Sequence, residues 1–363
     1  MRNFLDLTEY EREKMKIEDI QMKPFACHQS SISCAHGCER CWFFSERWGV
    51  ELRGVKVKEG ATLGHIYHRL QKLGPEHDEE VRAEIRQMQA ELMAWVDKGE
   101  DLDGQILRLA NLLTTLYDKA LAMAKIFWER YPQPDYLKTI GTEITHTMTI
   151  QDGPLKGMVL EGTIDKLLQD TRNGNIWIRD HKSTGMKTLA PIFAGFPWSP
   201  QARIYRILAE DYCCVDKSNN PQGNRVVGFI LDGIMKPGIK LCGKDEKNAK
   251  TWGCSVEDAY LRRVKEWYDE KDTDAIKSQA IMFNEPLYPR ELVRDMLRIK
   301  ALAERPNKPE MYSRDPSRFH CFLYDSPCIY LDLCESPMAK WPELFDTKYR
   351  ITEAEKKEIA DGS

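Results

Sequence analysis

The chain has 363 residues, 42% of them hydrophobic, enough for one large core or for two or three average ones. A formal charge of −4 announces no basic tail, so any anion-binding surface must be a local patch. The opening run MRNFLDLTEYEREKMK lacks the apolar core of a secretory signal, and no stretch approaches the roughly 18 apolar residues of a membrane span; a soluble, cytoplasmic protein is expected.

Four segments follow one another. Residues 1–75 hold four cysteines at 27, 34, 38 and 41, an aromatic-rich helical stretch, and GATLGHIYHRLQKL, whose apolar spacing suits a helix. Residues 76–130 keep a 3.6-residue period broken near Lys98-Gly99 and Asp103-Gly104, which predicts a helical hairpin with an acidic first arm. Residues 131–253 open with PQPDY and then carry strand patterns: EITHTMTI, MVLEGTIDKLLQD, NIWIRDHKS and RVVGFILDGIMK. Between the last two, WSPQARIYRILAEDY reads as a helix capped by Ser199 with Pro200 at its first position. Residues 254–363 read as mostly helical up to the cysteine-rich FHCFLYDSPCIYLDLC. No internal repeat or low-complexity tract is present.

Asn173-Gly174 is a strong hairpin signal between two of these strands. With those two residues as the turn, paired numbers sum to 347, so Asp165 falls opposite Lys182, and Asp180 and Lys182 share its face. Opposite Cβ atoms lie about 5 Å apart and diagonal ones roughly 7 Å, so the two carboxylates can hold one cation with an ammonium beside it. An all-oxygen donor set selects a hard ion such as Mg²⁺ or Mn²⁺. In isolation, the same residues also describe a surface cross-strand ion pair.

The ordered set Gly162-Thr-Ile-Asp165, Asp180-His-Lys182 and Gln201-Ala-Arg-Ile-Tyr205 resembles the motifs of PD-(D/E)xK nucleases, in particular the RecB-like branch with its phage and CRISPR-associated exonucleases. The resemblance implies an α/β fold, a mixed sheet flanked by helices, here with a helical insertion at 76–130 and the core at 131–253. It implies metal held by Asp165, Asp180 and the carbonyl of His181, with Lys182 catalytic and Gln201 and Tyr205 on the DNA. Gly64 and His68 resemble the G-x-x-x-H helix of that family, which makes His68 a further metal ligand, and Glu143 falls where the family often has another acidic residue. Gln201 and Tyr205 stand four apart, on one helix face.

Cys321, Cys328 and Cys334 bunch near the C-terminus, and in a reducing compartment such bunching points to zinc or an iron-sulfur cluster, with a fourth thiolate required. The pattern resembles the iron-sulfur subgroup of RecB-like nucleases, in which one N-terminal cysteine and three C-terminal ones hold a 4Fe-4S cluster and staple the two ends of the chain. Cys38 matches by its C-x-R-x-aromatic-aromatic context; Cys34 and Cys41, on the same helical face, are alternatives. The gap of six residues between Cys321 and Cys328 is longer than is usual for the family. A local zinc site from Cys27, Cys34, Cys38 and Cys41 is the competing reading, and Cys213, Cys214, Cys242 and Cys254 read as buried thiols.

The resulting expectation is a Mg²⁺- or Mn²⁺-dependent DNA exonuclease of phage-type recombination or repair, working alone or with a partner such as a single-strand annealing protein. Arg203, Arg206, Lys236 and Lys240 are candidate phosphate contacts, and Trp42 and Trp48 candidate base-stacking residues. The helical hairpin is a candidate arch over a single strand. The rivals are a binding module that grips DNA ends or a protein without cutting, and a structure-specific endonuclease.

Overall fold

The computed structural model describes residues 26–52, 59–98, 104–215, 225–283, 287–315, 321–322, 327–341 and 345–347. In chain order these form β1 (Ala26–Cys27), α1 (Gln29–Gly37), α2 (Glu39–Trp42), β2 (Val50–Leu52), α3 (Glu59–Leu73), α4 (Asp78–Asp97) and α5 (Gln105–Arg130). There follow β3 (Leu137–Thr149), β4 (Val159–Asp170), β5 (Ile176–Thr184), α6 (Ala190–Gly195), α7 (Pro200–Val215) and β6 (Val226–Met235). The remainder is α8 (Gly243–Trp252), α9 (Val256–Lys271), β7 (Ile276–Met282), α10 (Leu287–Ala303), α11 (Leu331–Glu335) and β8 (Phe345–Thr347). Two compact units result, one of residues 1–54, 152–158 and 294–363, the other of residues 55–151 and 159–293.

The second unit is built on a mixed sheet. β3 pairs antiparallel with β4, β4 antiparallel with β5, β5 parallel with β6, and β6 antiparallel with β7. A parallel pair needs a long crossover, and α6 and α7 supply it between β5 and β6. α7 lies close on β4: a Cβ on Gly162 would come within 2.8 Å of Leu208 and 3.2 Å of Tyr205, so only glycine admits the helix there. A Cβ on Gly64 of α3 would similarly meet Ser183 Oγ of β5 at 3.2 Å.

The helical hairpin forms as α4 and α5, with residues 99–103 of its connection outside the described residues. It is no free-standing arch. Ala120, Ala124 and Phe127 of α5 are fully buried, and the Phe127 ring meets that of His181 edge-on at 6.2 Å. The region after 254 is less helical than its pattern suggests, because Ile276–Met282 is a half-exposed edge strand whose identity is set by pairing with β6.

The β4–β5 register differs from the predicted one. Lys166 pairs with Arg179 and Gln169 with Ile176, so paired numbers sum to 345; the ladder ends there, and Asp165 meets β5 through the His181 N–H at 3.1 Å. The cause is a four-residue turn. The carbonyl of Asp170 accepts from Gly174 N at 2.6 Å, its N–H donates to Asn175 O at 2.8 Å, and its carboxylate holds Arg172 through Nε at 2.9 Å and Nη2 at 2.7 Å. A slip of two residues moves partners but preserves faces, so the predicted face survives on β5.

In the first unit, aromatic rings join the N- and C-terminal segments. Phe43 stacks on Tyr312 at 4.3 Å, Phe44 meets Tyr330 at 5.7 Å and Trp341 at 5.4 Å, and β2 pairs antiparallel with β8. Glu39 adds Arg305 at 2.7 Å and the Ser313 hydroxyl at 2.8 Å. Trp42 and Trp48 are core residues, 0% and 1% exposed, and Trp48 Nε1 donates to Asn307 at 2.6 Å. Neither is placed to stack a base.

Candidate active site

Asp180 lies at the centre of the site on β5, fully buried. Its Oδ1 accepts from the Gln201 amide of α7 at 2.7 Å, and its Oδ2 lies 2.6 Å from Lys182 Nζ. That second contact is an ion pair without good hydrogen-bond geometry. Burial pushes the Asp180 carboxyl above its ordinary pKa, the Lys182 ammonium opposes that, and the neighbouring Asp165 carboxylate adds to it. Such a carboxylate calls for a cation.

Asp165 sits where β4 loses its regular alternation. Gly162 faces α7, whereas Lys166 reaches the Gln71 carbonyl of α3 at 3.4 Å, so the faces exchange between them. The β3 ladder also steps past Glu143 and Asp165, and Glu143 takes φ 45° there. Asp165 Oδ2 accepts from the backbone N–H of His181 at 3.1 Å and lies 3.8 Å from His68 Nδ1. Burial, with His181 and Lys182 nearby, pushes the His68 imidazole down to about 3, so it is neutral and able to donate a lone pair at ordinary pH. His65 is exposed one turn back.

Tyr205 is buried one turn after Gln201, and burial, with the two aspartates, holds its phenol well above the usual range. Ser199 caps α7 as expected, its Oγ accepting from Ala202 N at 3.2 Å. Arg203 is buried, donating to the Trp198 carbonyl at 2.7 Å and ion-paired with Glu291. Arg206 pairs with Glu210 at 3.0 Å and lies 4.7 Å over the Phe283 ring. Lys236 donates to the Gly60 carbonyl at 2.7 Å, Lys240 is exposed, and Glu143 is ion-paired with Lys72 on α3.

A buried network lies on the opposite face, centred on an aspartate outside every sequence motif. Asp232 of β6 accepts from Arg179 Nε at 2.6 Å and from Ser278 Oγ at 2.5 Å, and its Oδ2 lies 3.1 Å from His181 Nδ1. Burial raises this carboxyl, but His181 and then Arg179 outweigh it and hold it below the usual range. The network anchors the side chain of His181, whose backbone reaches Asp165. An aspartate inside an apolar strand, FILDGIM, was its one signal.

In the first unit, Cys38, Cys41, Cys321, Cys328 and Cys334 line one small cleft of about 60 Å³ with Arg314, Asp315, Tyr330 and Leu331. Cys34 Sγ lies 3.3 Å from Cys41 Sγ. Cys27 is buried apart from the cleft, beside Ser31, so the four N-terminal cysteines do not assemble a site of their own. Cys213 is buried as expected, but Cys242 is exposed and Cys254 half-exposed; the Cys214 side chain lies outside the described residues. Among the described residues no three His, Cys, Asp or Glu side chains converge as placed on one metal position, and no helix is long and apolar enough to cross a membrane.

A mixed sheet flanked by helices, with a buried carboxylate, a lysine two residues on and a glutamine from the crossover helix, defines an α/β protein. The chain belongs to the PD-(D/E)XK nuclease superfamily, whose family model matches residues 28–334, and with that membership it takes a nuclease role. Members of this superfamily usually use divalent metals such as Mg²⁺ or Mn²⁺. No curated protein matches the chain. Among solved structures, a crystal structure named "Putative exonuclease" from Eubacterium rectale aligns over 90% of this chain and 98% of its own, at 11% identity and a TM-score of 0.39.

Proposed function

We propose that the protein is a metal-dependent DNA exonuclease, hydrolysing phosphodiester bonds from DNA ends. The observation that carries this reading is the buried Asp180 held between Gln201 and Lys182, with Asp165 on the adjoining strand. Asp165, Asp180, His68 and the His181 carbonyl would hold the ion, which supplies Lewis acidity and lowers the pKa of a water. The donor set fits, because two carboxylates, Asp180 buried and Asp165 half-buried, meet a single ammonium and a neutral imidazole.

Lys182 orients the attacking water and stabilises charge that develops on the phosphoryl oxygens. Gln201 keeps Asp180 turned toward the site, and Tyr205 backs α7 against Gly162, so both fix the groups that meet DNA. Arg206, Lys236 and Lys240 supply positive charge around the site. The choice of an exonuclease, and of a phage-type recombination or repair setting with an annealing protein as partner, rests on the motif resemblance to the RecB-like branch.

The cleft of five cysteines would hold a 4Fe-4S cluster, with Cys321, Cys328, Cys334 and Cys38 as ligands and Cys41 as the alternative fourth. Thiolate donors around one hollow suit iron-sulfur chemistry, and the cluster would have a structural role there.

The test is purified full-length protein on end-labelled single- and double-stranded DNA, with Mn²⁺ and with chelator. Cutting that advances from the ends in Mn²⁺ alone is expected; binding without cutting under all conditions points to the non-cleaving module, and internal cuts in a circular substrate point to an endonuclease.

A further inference from the structure

The segment that carries the chain from the D-x-K strand to the Q-x-x-x-Y helix has an unusual composition for a surface connection. Over residues 185–199 it presents Met186, Phe193, Phe196 and Trp198, with prolines at 191 and 197 and another opening α7 at 200. Phe196 is buried with the Lys182 ammonium 5.6 Å from its ring, so this segment walls the catalytic lysine. Phe193 rests on Gly233, and Lys277 lies 4.7 Å from the Phe193 ring.

The register places Lys182, Gly233 and Lys277 in one row across β5, β6 and β7, on the face that carries Asp180. Two strand spacings put the two lysines about 10 Å apart at the backbone. The connection therefore runs over a cationic row that begins at the active site.

Trp198 ends this segment three residues before Gln201 and is 54% exposed. Single exposed apolar residues are common and need no explanation by themselves. Trp198 differs in its support. Pro197 precedes it, the Ser199 cap and Pro200 follow it, and its carbonyl accepts from the buried guanidinium of Arg203, itself ion-paired to Glu291. A large, exposed indole thus stands on braced backbone three residues before Gln201, whose amide holds Asp180.

We propose that Trp198 is a base-stacking platform for an unpaired nucleobase, and that the site consequently takes single-stranded DNA ends. The proposal deepens the nuclease reading and rests on it. Every base has a π face, so such a platform grips strands without regard to sequence, and it has no purchase on a base already stacked in a duplex. Arg203 acts here by bracing Trp198 and does not itself touch DNA.

The test is equilibrium binding of full-length wild type, Trp198→Ala and Trp198→Phe to a labelled oligo(dT) strand and to a blunt duplex of the same length. Fluorescence anisotropy is read in Ca²⁺, with label integrity checked on a gel, and Mn²⁺-dependent cutting is measured in parallel. Trp198→Ala should bind the strand about tenfold more weakly and the duplex as wild type does, with Trp198→Phe retaining most of the affinity. Equal strand affinity in Trp198→Ala and wild type overturns the proposal, as does an equal loss on strand and duplex. If Trp198→Ala cuts with wild-type strand affinity, the platform fails and the nuclease reading stands. Wild type that neither binds nor cuts DNA overturns both.

Discussion

Asp180 and Lys182 carry the electrostatics of the proposed site in one ion pair. Asp180 is wholly buried and its partner is an ammonium at 2.6 Å. Lys182→Ala strands a buried carboxylate, a change that costs about 3–5 kcal/mol when nothing replaces the lost charge. The expected outcome is a lower melting temperature for metal-free Lys182→Ala, a larger gain on adding Mn²⁺ than wild type shows, and loss of cutting. A variant whose melting is unmoved and indifferent to Mn²⁺ would remove the electrostatic argument. His68 gives the pH prediction. Its folded pKa of about 3 lies below the ordinary value near 6.5, so between these limits the unfolded chain binds a proton that the native state refuses. Stability contributed here is therefore lost as pH falls from about 6.5 toward 3, and His68→Gln should flatten the slope of melting temperature against pH in that window.

At the scale of the elements, α7 is positioned by what β4 lacks. Gly162→Ala would place a methyl 2.8 Å from Leu208 and 3.2 Å from Tyr205, and overpacking of this kind costs about 1–3 kcal/mol. Because α7 also carries Gln201, the expected signature is a fall in kcat together with the stability loss. Ser199→Ala should cost about 1 kcal/mol through the lost cap and loosen the same helix end, measured by urea denaturation. The strands, the helix and the turn between Asp170 and Asn175 were legible because local chemistry writes them: alternation, Ser-Pro, Asn-Gly. The register was not, since the Asp170 carboxylate captures Arg172 and lengthens the turn from two residues to four, a contact that no periodicity records. Asp180 and Lys182 were still read as neighbours because alternation along one strand puts them on one face whatever the register. The break in β4 at Asp165 and the edge strand Ile276–Met282 also escaped, since partners far along the chain decide both.

On the scale of the whole chain, the first unit brings together residues nearly three hundred positions apart, and two features stand where they meet. One is the thiol cleft, shared by Cys38 and Cys41 with Cys321, Cys328 and Cys334. The other is the aromatic core of Phe43, Phe44, Trp48, Tyr312, Tyr330 and Trp341, supported by Glu39 on Arg305 and Ser313. Closing so long a loop is entropically costly, and the sequence reading gave the whole task to a cluster because cysteines announce themselves and rings at 43 and 312 do not. The two features separate experimentally. Cys328→Ser should abolish absorbance near 400 nm while near-UV dichroism from the packed rings persists, if the aromatic core alone suffices to hold the ends. Phe43→Ala removes a ring stacked at 4.3 Å on Tyr312 and 4.8 Å from Trp48, a core truncation worth about 3–5 kcal/mol, and should erase that dichroism first. Collapse of the aromatic signal in Cys328→Ser, with survival in Phe43→Ala, would return the joining of the chain ends to the thiols.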